Sequence, residues 1–256
     1  MTELVVRSLG GALRARVVPL TLDARRVVES QHVVSTRKLV DSDAEQRLLE
    51  ELIDGVKPPV PVGDEFRGLH YLLSTPFRHP PLRWGSRFGA PTERGIWYGS
   101  AELVTCFAEV AYYRLLFLEG SRAHLAPVTV ELTSFVAALR AHRGVDLTRA
   151  PFVRHRAALA SKTSYAATRA LGAELRAAGV DVVLSRSARA REAGINVALF
   201  TPAFARPSPR QLEAWICTAD RDKVELSRKS LSRRRGEGYR FPRGDFEVDG
   251  RLPAPG

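Results

Sequence analysis

The sequence of 256 residues contains two cysteines, one methionine and three tryptophans. Cys106 and Cys217 lie more than a hundred positions apart, with no CxxC pair and no histidine at ligand spacing. That excludes a disulfide framework and a Cys/His zinc site, and no metal is expected. No run approaches the ~18 apolar residues that a membrane helix requires. The start, Met1-Thr2-Glu3 followed by Arg7, lacks the basic-then-apolar layout of a secretion signal, so the chain reads as cytoplasmic with no membrane segment. Also missing are a GxGxxG turn after a strand, a GxxxxGK[ST] loop, an HExxH helix and a GxSxG elbow. Rossmann oxidoreductases and P-loop enzymes are thereby disfavoured.

What is present is positive charge. Lys and Arg number 39 against 28 Asp and Glu, for a net charge of +11. Eight of the basic residues fall between Arg221 and Arg240, including the run Arg233 to Arg235. Such a run is ordinarily a solvated face, and no nucleic-acid fold signature accompanies it. A basic nucleic-acid-binding or regulatory module still stands as an alternative of another class, because Lys and Arg displace counterions from phosphates. With 45% hydrophobic and 26% charged residues, the chain can bury a sizeable core.

Along the chain, residues 1–25 show only a short apolar start and a Gly10-Gly11 break. Ser42 and Glu45 form a capping box before Ala44, Leu48, Leu49, Leu52 and Ile53, an apolar stripe at helical spacing that ends near Gly55 and Pro58-Pro59. Val60 to Arg94, rich in Pro, Gly and aromatics, reads as loop with short extended pieces. Gly95 to Tyr98 predicts a strand, and Ser100 would cap a helix to about Glu119 that is apolar nearly all round and therefore buried. Strands are predicted at Val128–Leu132, Val180–Leu184 and Ile195–Thr201, with a helix from Tyr165 to Ala178 stopped by Gly179. A hairpin follows at Trp215–Thr218 and Lys223–Leu226. These elements give an α+β protein: an N-terminal extension over 1–60 carrying one amphipathic helix, a single mixed domain over 61–250, and a frayed tail over 251–256.

One constellation stands out, with Arg87, Tyr98 and Glu109 each eleven residues apart. Arg87 lies in Gly85-Ser-Arg-Phe-Gly89, where flanking glycines permit close backbone approach and an Arg fork suits phosphate oxygens. Tyr98 ends a strand, as a core aromatic or as a platform for a planar base. Glu109 sits mid-helix among apolar residues, where a carboxylate costs several kcal/mol unless it is paired or faces a polar cleft. Both a buried ion pair and a catalytic role remain open on that ground. Ser187, in Leu184-Ser-Arg-Ser187-Ala-Arg189, is by itself a turn former.

The ordered pieces TPFRHPP (Thr75 to Pro81), GSRFG, IWYGS, FAE and GVDVVLSRSAR through GINVALF resemble the RES domain, a family named for an Arg, a Glu and a Ser. The resemblance spans roughly Tyr71 to Pro202, and Val28 to Asp54 is similar to the extension of longer members. It implies a fold resembling ADP-ribosyltransferases and an enzyme that consumes NAD+, breaking the nicotinamide–ribose bond by hydrolysis or phosphorolysis. Inorganic phosphate would then be a co-substrate.

Members are toxins neutralised by an Xre-like helix-turn-helix antitoxin, through which alone nucleic acid would be met; homo-oligomerisation is left open. Carried over by position, the resemblance assigns the family Arg to Arg87, with Phe88 in place of the commoner Trp, and the family Tyr and Glu to Tyr98 and Glu109. The family Ser falls on Ser187, with Ser185 as the alternative because Ser185-Arg186 replaces the usual Tyr-Pro. Arg78 matches an earlier aromatic-Arg piece. In this scheme Glu109 stabilises positive charge on the ribose, Arg78 and Arg87 hold the pyrophosphate, Tyr98 stacks on nicotinamide, and Ser187 bonds the ribose or amide. Transfer of ADP-ribose to a protein is the alternative use of the same residues.

Overall fold

The computed structural model describes residues 16–30, 40–59, 61–79, 84–121, 127–229 and 238–254. The Leu4 to Val6 start, the Gly10-Gly11 break and the Arg233 to Arg235 run lie outside them.

Alternation of Val128, Val130 and Leu132 starts a strand, as predicted, but β3 runs on through Val128–Asp146. Its middle, Phe135-Val-Ala137, lacks alternation because both faces are covered. One edge of β3 pairs antiparallel with β1 (Val18–Glu29), and the other takes β6 (Arg210–Ala219) and then, in parallel, β4 (Val182–Arg186). The segment expected to carry only a helix thus supplies a sheet strand. Its pattern was obscured by Asp23, Arg25 and Arg26, and its partner lies over a hundred residues away.

β2 (Trp97–Ser100) and β5 (Ile195–Leu199) complete the sheet, whose order is β1-β2-β5-β4-β3-β6-β7-β8, with β7 (Lys223–Arg228) and β8 (Gly238–Pro242). Because β1 also pairs with β3, the strands β1, β2, β5, β4 and β3 make a closed circuit of pairings. The predicted hairpin is present as β6–β7, lengthened at both ends.

Among the described residues, helices flank this sheet. α1 (Asp43–Val56) starts at the predicted box, where the Glu45 amide donates to Ser42 Oγ at 3.2 Å. Its stripe is not buried, however: Leu48 and Leu52 are exposed. α2 (Tyr71–Arg78) falls where a loop was expected, the internal Pro76 having masked it; His70 Nδ1 caps it by accepting from the Leu72 amide. Phe66, Leu73 and Phe77 pack there against Trp97, Phe135 and Leu199.

α3 (Leu103–Glu119) begins after Glu102, not at Ser100, which is the last residue of β2. Phe107, Ala111 and Leu115 pack on Trp215, Val224 and Phe241 of β6, β7 and β8. The helix is not buried all round, since Val104, Tyr113 and Phe117 are exposed. After a single turn at Arg156–Leu159 (α4), α5 (Ala166–Ala177) presses Leu171 and Leu175 onto Val183 and Ala198. Gly179 ends it with φ +65°, the left-handed stop its position predicted. The tail is not frayed as far as Leu252, which is buried against the α3 core, and Tyr112 Oη donates to the Pro253 carbonyl.

Candidate active site

Antiparallel pairing of β4 with β5 sets Ser185 opposite Asn196, and the Ser187 amide closes their connection by donating to the Gly194 carbonyl at 2.8 Å. Ser187 and Asn196 therefore stand side by side at one end of the pair. Along α3, Glu102, Thr105, Glu109 and Tyr113 recur at three- and four-residue steps and so share a face. Thr105 Oγ1 donates to Glu102 Oε2, which also accepts from the Ile195 amide, aligning this face with the start of β5.

Here Glu109 meets its partners. Ser187 Oγ donates to Glu109 Oε1 at 2.7 Å and Asn196 Nδ2 donates to the same oxygen at 2.6 Å. Ser187 Oγ in turn accepts from the amides of Arg189 and Ala190, each at 3.0 Å, which fixes its hydroxyl for donation. Asn196 is oriented by Ser100, whose Oγ donates to Asn196 Oδ1 at 2.8 Å. Among the described residues, Glu109 has no cation partner and its Oε2 takes no bond. Of the two roles left open for it, the ion pair with an arginine is not found among the described residues. Ser185, in contrast, is turned into the fold at 1% exposure.

Arg87 lies on a turn made possible by Gly85, whose φ of +70° is the left-handed conformation; the Ser86 amide donates to the Gly89 carbonyl at 2.8 Å. The turn rests on α5 at Gly172, where a Cβ would stand 2.0 Å from the Phe88 carbonyl oxygen. Arg87 is buried, donates from Nη1 and Nη2 to the carbonyls of Leu159 and Ser161 at 3.2–3.3 Å, and stacks 4.6 Å from the centre of the Tyr165 ring. Tyr165 Oη is 3.5 Å from Tyr113 Oη, so the arginine connects through two tyrosines to the helix face carrying Glu109. Although part of the Tyr113 ring is exposed, desolvation at its hydroxyl, which lies against Tyr165, drives the phenol well above its ordinary range, and Tyr165 and Glu109 push the same way.

Tyr98 does not stand free as a platform through its hydroxyl. Its Oη donates to Ser86 Oγ at 2.9 Å and accepts from the Phe88 amide at 3.2 Å, tying down the residues on either side of Arg87. Burial pushes its pKa up to about 12 against the opposing pull of these bonds and of Arg87. Arg26 donates from Nη1 to the Tyr98 carbonyl from behind; burial lowers its pKa to about 10, which leaves it cationic at neutral pH. Arg78 ends α2 and donates to the Pro58 carbonyl, sharing no partner with the other four residues. A hollow lined by Pro61, Val62, Gly63, Asp64, Phe66 and Arg67 contains none of these groups. Converging polar chemistry marks the site.

Sequence reasoning missed Asn196, Ser100, Tyr165 and Arg189. One signal existed: Asn196 and Ser100 are polar residues at strand ends, and they face each other across β2 and β5. Arg189 is local to Ser187, and Tyr165 meets the site only through tertiary packing.

Fold and site together define a mixed α+β domain in which α3 and the β4–β5 end bring together a carboxylate, a hydroxyl and a carboxamide, with an arginine-bearing turn linked to the same helix through Tyr165 and Tyr113. The family model described as RES domain matches residues 63–220, more than half of the chain, and the chain belongs to that family. Among solved structures it is similar to the crystal structure of the M. tuberculosis MbcT-MbcA toxin-antitoxin complex. The identity is 13%, 83% of this chain and 92% of that chain are covered, and the TM-score is 0.47. No curated protein matches. Among the described residues, no helix is long and apolar enough to cross a membrane.

Proposed function

We propose that the chain is a toxin-like enzyme that binds NAD+ and breaks its nicotinamide–ribose bond, and that a cognate antitoxin protein with an Xre-like DNA-binding part restrains it. The observation that carries this reading is the setting of Glu109: one carboxylate oxygen is held by two neutral donors, and among the described residues no cation pairs with the charge and Oε2 takes no bond, which suits a ligand there. In the reaction the C1′–N1 bond breaks with its electron pair passing to nicotinamide, which leaves neutral, so no strong acid is required. Positive charge builds on the ribose, and an ionised carboxylate aimed at it lowers the barrier. An oxygen of water or inorganic phosphate then bonds to C1′, and the acceptor's proton is lost to solvent or to Glu109. Membership of the RES family supports the same reading.

Arg87, steadied by Tyr165, would meet the pyrophosphate, and Ser187 would bond the ribose or the amide while orienting Glu109. Tyr98 holds the arginine turn, and Arg78, at the far end of α2, would act from the rim. No metal enters this chemistry. The test is incubation of the purified chain with NAD+, following nicotinamide and nucleotide products with and without inorganic phosphate. Nicotinamide release at the expense of NAD+ is expected; unchanged NAD+ in both buffers contradicts the proposal. With label in the adenine half and a cell lysate present, label retained on a protein band would instead indicate ADP-ribosyl transfer.

A further inference from the structure

The turn Arg243–Asp245 follows directly on β8 and is anchored at both ends. The Arg243 amide donates to the Asp222 carbonyl at 2.7 Å, and its guanidinium donates to Glu119 of α3 at 2.5 Å and to Glu247 at 2.7 Å. Next to Asp245, Phe246 is fully buried beside Tyr112 of α3. The turn lies beyond residues 63–220, the segment that the family model matches.

From this fixed point Asp245 reaches two segments that flank the site. Its Oδ1 pairs with Arg191 Nη2, and its carbonyl accepts from Lys162 Nζ at 3.1 Å. Arg189, two residues before Arg191, donates from Nη2 to the Lys162 carbonyl at 3.0 Å. The contacts close a circuit: Asp245 to Arg191, back along the chain to Arg189, across to Lys162, and again to Asp245. The site hangs on this circuit at two places. The amides of Arg189 and Ala190 hold the Ser187 oxygen, and the carbonyl of Ser161, next to Lys162, holds Arg87.

Three cations and one carboxylate make up the circuit. Among the described residues no other carboxylate bonds to Lys162, Arg189 or Arg191. Arg189 is 2% exposed and the Asp245 side chain 11%, so water screens these charges only in part. Loss of the negative charge leaves Arg189 and Arg191 on one side and Lys162 on the other, like charges that push the two segments apart. Arg191 stands at the exposed tip of the connection, Arg191–Ala193, and without its partner that tip is no longer drawn down to the turn.

We infer that Asp245 is a positioning residue: through Arg191 and Lys162 it keeps the connection after Ser187 in the shape that aims the serine hydroxyl at Glu109. Its effect on rate rests on the proposed NAD+ chemistry, whereas its hold on the connection does not.

The test sets Asp245→Asn, an isosteric loss of charge, beside Asp245→Glu and Arg191→Gln in the full chain. Amide hydrogen exchange is read at Arg189 and Ala190, and kcat and KM are read for nicotinamide release from NAD+. D245N should exchange those two amides about tenfold faster, while core amides of α3 keep their wild-type rates. Its kcat should fall about tenfold, and D245E should recover part of the loss. Arg87 keeps its bond to Leu159 and its stack on Tyr165, so KM should change by less than about twofold. R191Q should reproduce D245N, and the double variant should be no worse than either, because both act through one contact. A merely structural role gives instead a lowered melting temperature with exchange raised throughout the fold, and that result overturns the proposal. So does unchanged exchange at Arg189 and Ala190, or one kcat shared by D245N and an active wild type. Should D245N not fold, R191Q, which alters an exposed side chain, is read in its place. A wild type that releases no nicotinamide refutes the reaction, and exchange alone then decides the role of Asp245: faster exchange supports it and unchanged exchange overturns it.

Discussion

Ser187 and Glu109 are 78 residues apart in sequence and joined by a 2.7 Å hydrogen bond in which the hydroxyl donates to Oε1. Because two backbone amides occupy the serine oxygen, its hydrogen is aimed at the carboxylate. Ser187→Ala should therefore cut kcat for NAD+ cleavage by roughly ten- to a hundredfold, through loss of an orienting bond of the ordinary 0.5–1.5 kcal/mol together with any contact to substrate. Steady-state kinetics with a matched melting curve checks this. Ser185→Ala, changing a buried strand residue, should leave kcat within a few-fold of wild type.

Asn196 contributes the second donor to Glu109 and is itself set by Ser100. Asn196→Leu removes that bond and places an apolar group against the carboxylate, so kcat should fall at least tenfold. Ser100→Ala, one step further away, should cost less, since it only frees the carboxamide to turn. The order of the two effects in kcat, measured at saturating NAD+, is the check.

Gly172 lets α5 approach the Arg87 turn, with no room for a methyl group beside the Phe88 carbonyl. Gly172→Ala should cost about 1–3 kcal/mol in stability by overpacking. It should also raise KM for NAD+ more than Ala at a helix position ordinarily would, because the turn carrying Arg87 must retreat. Urea denaturation and KM read the two consequences separately.

Tyr98 gives a pH prediction. Its phenol is held to about 12 in the folded chain against 10.0 in the open chain, so between these values the folded state keeps a proton that the unfolded state loses. Stability contributed by this group is complete below about pH 10 and declines as pH rises toward 12, by on the order of 3 kcal/mol. Tyr98→Phe should lose roughly 1 kcal/mol at pH 8 through its missing bonds, yet decline less steeply above pH 10. Urea unfolding of both proteins from pH 8 to 12 tests the crossing of slopes.

Cys106 is 5% exposed, and burial pushes its thiol up to about 11. Since the thiolate is the reactive form, native protein should resist alkylation at pH 8 and react only after denaturation. Mass spectrometry of iodoacetamide-treated protein, with and without urea, distinguishes the two.

Legibility in the sequence followed the range of the determining interactions. The Ser42–Glu45 box, the Gly179 stop and the β6–β7 hairpin are set by neighbours within a few residues, and each was read close to where it lies. β1 escaped because its pairing partner is distant and its own alternation is broken by charge; α2 escaped because Pro76 argues against a helix that packing of Phe77 and Leu73 nonetheless secures. At the site, Glu109 was conspicuous as a carboxylate in an apolar helix. That Ser187, rather than Ser185, comes to it depends on the β4–β5 register.

The most direct measurement is nicotinamide release from NAD+ by purified wild type and Glu109→Gln side by side, with melting temperatures recorded for both. The account predicts steady release by wild type and a rate at least a hundredfold lower in a variant that folds as well, as for loss of charge stabilisation at a reacting centre. Equal rates in the two proteins, or no release by folded wild type, would contradict it.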